Sequence, residues 1–250
     1  MLRVSGLWLV MMLVISLSPV IAQTHHPDPA ASHSTGTRMA HWEGSPEGKA
    51  YSEFNHHLAG AFVILIGLSE LLGALALAGF ALRSLAWARF LLPMGMLAAG
   101  IHLLVWSDHD AWPIGTLSLM QTFLGGDLEV LQHKILALLL CAIGLVETWR
   151  RLGMIREPIW AAPLPVFAIL GGILLFLHDH GDHPGANAIT INHMIMGTMA
   201  IAAGSSKLAA SPVTACVFGR SLTMDGRWGW YVAWPALILL IGVQLLVYTE

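Results

Sequence analysis

The sequence predicts an all-α, polytopic membrane helix bundle, with six transmembrane helices following an N-terminal signal peptide. Three observations predict it. Hydrophobic residues make up 56% of the chain and charged residues only 11%, with a mean hydropathy of +0.69; a soluble domain carries about a quarter charged residues. The apolar residues fall in runs of about twenty, the length at which a helix crosses a bilayer. Those runs lack strand-like alternation, and a spanning segment must satisfy its backbone internally, so helices are chosen over a barrel.

The first element is the stretch 1–22, MLRVSGLWLVMMLVISLSPVIA. One Arg, an apolar stretch and a small residue at Ala22 are the features of a secretory signal peptide. The other reading is an uncleaved first span; under both, residue 23 emerges outside. Residues 23–55 form a His-rich arm. Pro, Ser, Gly and His dominate its first half, a composition that predicts disorder there. The arm is read either as a metal collector or as a plain linker. The membrane domain is expected over 56–250, with spans at roughly 57–80, 86–106, 129–149, 158–178, 189–209 and 229–248.

Charge sets the expected orientation. The links after the first, third and fifth of these spans carry Arg83, Arg89, Arg150, Arg151, Arg156, Lys207, Arg220 and Arg227. The opposite side has Arg38, Lys49 and Lys134. Basic residues favour the cytoplasmic side, so both mature termini and the loops 107–128 and 179–188 are expected outside. A net charge of −3 offers no nucleic-acid footprint. Two cysteines, Cys141 and Cys216, are too few for a disulfide framework or a Cys-rich metal site. No CxxCH occurs, which excludes covalent c-type haem.

All thirteen histidines fall in expected outer segments or the outer parts of spans. The stretch LFLHDHGDHPGANAITINHMIMG gathers His178, His180, His183 and His193. His57, His102, His133, His178 and His193 recur at the outer ends of five spans. Neutral imidazole ligates Cu, Zn, Fe and Ni, and thioether sulfur selects Cu(I). His193 and Met196 are three apart and share a helix face. Glu129 and His133 are four apart, so Glu129 could orient that ring or ligate. His178 and His180 would diverge on a continuous helix, so the fourth span is expected to end there. The candidate metal residues are therefore His57, His102, His133, His178, His180, His193, Glu129 and Met196. Taken singly, a histidine at a span end reads as interfacial and a methionine as packing. Five imidazoles at one depth point to function, because ionisable groups in a membrane usually mark it.

Two histidines on facing spans could instead hold haem b, His102 with His193 or His57 with His133. A third reading is an assembly subunit for a periplasmic copper enzyme. Glu70, deep in the first span, is expected to face the interior, because an unpaired carboxylate there is costly. Ser69 and Gln244 are its candidate partners, and a step for protons or cations is the alternative.

The segments SPEGKAYSEFNHHLAG, SDHDAWPIG, DLEVLQHK and WPALILLIGVQLLVYTE resemble bacterial membrane proteins of the copper resistance protein D family. The resemblance runs from about Trp42 to Glu250. It implies a non-enzymatic, multi-pass inner-membrane protein that takes up or hands over copper at its periplasmic face, beside a periplasmic copper-binding protein. No cytoplasmic His or Met cluster stands ready to receive an ion, so binding, sensing and hand-off stay open beside uptake.

Overall fold

Apolar runs become helices here, and short polar signals set where they start. The structure is a computed structural model describing residues 45–77, 79, 83–177, 186–214 and 224–249. The expected signal peptide and residues 23–44 of the arm lie outside the described residues, as does Cys216.

Helix α1 spans Pro46–Leu77, and a 3-10 segment, Arg83–Phe90, leads into α2, Leu91–Trp106. A short helix, α3, covers Leu119–Leu124, and α4 covers Leu128–Arg151. A 3-10 turn, Pro158–Ala161, precedes α5, Pro163–Phe176. Helices α6, Ala186–Ala210, and α7, Met224–Leu246, complete the bundle. All regular structure among the described residues is helical.

The start of α1 shows the local logic. Ser45 Oγ accepts the Gly48 N–H at 3.0 Å, Pro46 needs no donor partner, and Glu47 sits in the first turn. The helix therefore begins before residue 56, and residues 46–55 of the expected arm belong to it. At 1.5 Å per residue, α1 is about 48 Å long, well beyond a hydrocarbon core of about 30 Å. Asp127 caps α4 in the same way, accepting the Val130 N–H at 3.1 Å.

Five helical segments are long and apolar enough to cross a membrane: Pro46–Leu77, Leu85–Trp106, Leu128–Arg151, Pro158–Phe176 and Trp228–Leu246. They correspond to five of the six expected spans. The sixth, α6, has 25 residues but is not among them. Asn192, His193, Ser205, Ser206 and Lys207 dilute its apolar character. Its position explains how it carries them. It packs between α5 and α7, and His193 and Ser206 are buried against protein.

Successive contacts run α4–α2–α1–α7–α6–α5, and a thinner α4–α5 seam closes the ring. Glycines permit the closest approaches. A Cβ on Gly60 of α1 would lie 2.9 Å from the Gly242 carbonyl of α7. One on Gly197 of α6 would lie 2.7 Å from the Gly172 carbonyl of α5. Small faces of this kind let helices pack where lipid offers no hydrophobic drive. Leu92, Met96, Ile143, Leu164, Met196 and Trp234 fill the interior, so the bundle has a packed core.

Candidate functional site

The antiparallel order gathers the starts of α1, α4 and α6 with the ends of α2 and α7. This is the histidine end of the bundle. Its centre is a carboxylate just past α2. His133 Nδ1 donates to Asp108 Oδ1 at 2.8 Å, and Lys134 Nζ lies 3.2 Å from Asp108 Oδ2. Ser107 Oγ also donates to Oδ2. Lys134 is fully buried and donates to the Leu104 carbonyl at 2.9 Å as well. Burial pushes the Asp108 carboxyl up. The hydrogen bond and charge of His133, the Ser107 hydroxyl and the Lys134 ammonium outweigh that, and hold it below its ordinary value. The cluster is thus an ionised carboxylate clamped between an imidazole and an ammonium.

The other histidines of this end have their own neighbours. His102 Nε2 lies 3.1 Å from Asn55 Oδ1, and its ring stacks against Trp106. Asn55 Nδ2 and Tyr51 OH both donate to the Trp106 carbonyl, at 3.2 and 2.5 Å. The first turns of α1 thereby lock onto the last turn of α2. His57 Nε2 donates to the Tyr248 carbonyl at 3.0 Å, while His56 stacks on the Tyr248 ring. His193 is buried on α6, beside Asn192, which accepts from Gln244 Nε2 at 3.2 Å. Met196 is buried one turn further along, within the apolar core. Glu129 occupies the first turn of α4, one turn before His133.

The structure therefore brings His57, His102, His133 and His193 to one end, as their common depth predicts. It gives His57, His102 and His133 three different neighbours: Tyr248, Asn55 and Asp108. Among the described residues, no group of three or more His, Cys, Asp or Glu is arranged to hold a metal ion. His178, His180 and His183 lie outside the described residues. Sequence reasoning missed Asp108, Lys134 and Asn55. It placed the first only within the outer loop 107–128 and counted Lys134 only among the basic residues of the outer side. A lysine directly after a histidine inside a span, with an aspartate two residues beyond the end of the preceding span, was the available signal.

At the other end, Glu70 of α1 is the meeting point. Arg151 Nη2 of α4 donates to its Oε1 at 2.6 Å, and Lys207 Nζ of α6 to its Oε2. Trp234 Nε1 of α7 donates to Oε2 at 3.1 Å. Glu147 balances the node further, pairing with Arg150 at 2.5 Å and Arg151 at 3.5 Å. The expected interior placement of Glu70 holds, but its partners are neither Ser69 nor Gln244. Ser69 points about 100° away around the helix and donates to the Ala88 carbonyl at 2.8 Å. Gln244 sits at the histidine end.

Fold and site together define a class: a multi-pass helical membrane protein. It has a carboxylate–histidine–lysine cluster at one end of its bundle and a buried ion-pair node at the other. No protein-family model matches the chain, and no curated protein or solved structure matches it.

Proposed function

We propose that this protein binds copper at the histidine end of its bundle, on the periplasmic face of a bacterial inner membrane, for uptake or hand-over. The observation that carries this reading is the Asp108–His133 pair, 2.8 Å apart. A metal-ligating imidazole characteristically has its other ring nitrogen held by a carboxylate, which fixes the ring and raises its basicity. Lys134 already compensates the Asp108 charge, so Asp108 serves to orient His133 rather than to ligate. The remaining donors suit copper: His57, His102 and His193 offer imidazole, and Met196 a thioether. Three or four first-contact ligands suffice. Glu129, one turn from His133, supports the ring from its own helix. A periplasmic copper-binding protein is the partner that the family resemblance implies.

Metal analysis and an absorption spectrum of the purified full-length chain test the reading. Copper should be bound, His133→Ala should lose most of it, and Asp108→Asn should weaken affinity by about 10–100-fold. A Soret band would overturn the copper reading in favour of haem b. Neither copper nor a Soret band would favour the assembly-subunit reading.

A further inference from the structure

We infer that the segment linking α2 to α4 meets water on the side that carries His109 but not on its apolar side. It is a cap whose outer face is embedded in the bilayer interface at the histidine end, among the glycerol and upper acyl groups. The inference rests on the membrane bundle and is independent of copper.

The segment is inside out for an aqueous loop. Helix α3 turns Thr122 inward, where it is 1% exposed and its Oγ1 accepts the Trp112 N–H at 3.0 Å. It turns Met120 and Leu124 outward, each 65% exposed. At 100° per residue, positions 119, 120, 123 and 124 cover an arc of about 140° on one side. All four are apolar: Leu119, Met120, Phe123 and Leu124. The polar positions are used internally. Ser118 and Gln121 close a reciprocal capping box, at 2.9 and 3.3 Å.

This apolar face cannot fold back on the protein, because the segment is internally braced. Leu117 N–H donates to the Asp110 carbonyl at 2.9 Å, and Gly115 N–H to the Ala111 carbonyl at 2.8 Å. Ala111 is buried beneath. The outward side chains are therefore held out by the backbone.

Two observations choose lipid as the occupant. Exposed apolar side chains also stand on the neighbouring spans, Leu128 at the start of α4 and Ile101 on α2. Exposed Trp106 ends the span that enters the cap and exposed Trp112 lies within the cap, and tryptophan near span ends marks headgroup depth. No Lys or Arg occurs between Trp106 and His133, so the contact is apolar rather than with anionic headgroups. The same cap carries Asp108, so lipid contact braces one wall of the Asp108–His133 cluster.

Nitroxide labels test it on the full chain with Cys141→Ala and Cys216→Ala, in phosphatidylcholine vesicles. Labels go on Met120→Cys, Leu124→Cys and, as the aqueous reference, His109→Cys. At 120 and 124, collisions with oxygen relative to a water-soluble nickel chelate should exceed the ratio at 109 several-fold. A ratio equal to that at 109 overturns the inference, because the face is then in water. Low collision with both reagents overturns it too, because the face is then against protein. Spin–spin broadening in that case identifies a second copy.

Discussion

Arg151 on α4 and Lys207 on α6 meet at a single carboxylate, although other helices separate theirs in the packing order. Glu70 supplies that carboxylate, and Trp234 completes it from α7. One side chain thus fastens four helices at one end of the bundle.

Glu70→Ala should therefore be among the most destabilising substitutions in the chain. It leaves two half-buried or deeper cations facing each other, a loss of about 3–5 kcal/mol when a buried pair is broken. Glu70→Gln keeps the shape and an acceptor for Trp234, so it should fall between. Thermal unfolding of the detergent-solubilised protein reads both. An unchanged melting temperature with a lost copper phenotype would instead assign Glu70 to ion passage.

The Asp108 carboxyl is held below its ordinary value of 3.8. A depressed carboxyl contributes stability above the unfolded value, and loses it as pH falls through the lower, folded value. The groups facing it are His133, Lys134 and the Ser107 hydroxyl. Wild type should therefore be more stable than Asp108→Asn from about pH 5 upward. The gap should close on acidification below that. Melting curves of the two proteins across this range decide it, and a constant gap at all pH values would dismiss the ionic clamp.

Gly60→Ala should cost about 1–3 kcal/mol, because the new methyl meets backbone that cannot move aside. Its Cβ would lie 2.9 Å from both the Gly242 carbonyl oxygen and the Leu246 nitrogen. Gly73, on the same helix, has no such neighbour within 4 Å. Gly73→Ala should be neutral, or stabilising by up to about 1 kcal/mol through helix propensity. Equal melting temperatures for the two variants would refute a close α1–α7 seam.

Orientation is read by impermeant thiol labelling of intact cells. His109→Cys and Met154→Cys suit the purpose, since both sites are exposed. Nearby glycines do not: a Cβ on Gly115 would lie 2.0 Å from the Asp110 backbone, and Gly153 has φ +76°. The basic links predict labelling at 109 and protection at 154. The reverse pattern would put every histidine of the cluster in the cytoplasm.

The chain's composition and apolar run lengths alone determined the helical membrane bundle, because backbone excluded from water has few ways to satisfy itself. The helix starts at Ser45 and Asp127 are local too, since each cap lies three residues before the N–H it accepts, but hydropathy alone set the expected first span to begin near 57 and so passed over Ser45. The shared depth of His57, His102, His133 and His193 followed from one-dimensional position along their spans. Which side chains meet did not. Depth says nothing about rotation around a helix or about neighbour order in the ring. The pairing of His133 with Asp108 spans 25 residues, and that of Glu70 with Lys207 spans 137. Only packing could choose Arg151, Lys207 and Trp234 for Glu70 over the adjacent Ser69. A buried charge takes the partners that the ring of helices delivers, and that ring is set by where glycines let backbones touch.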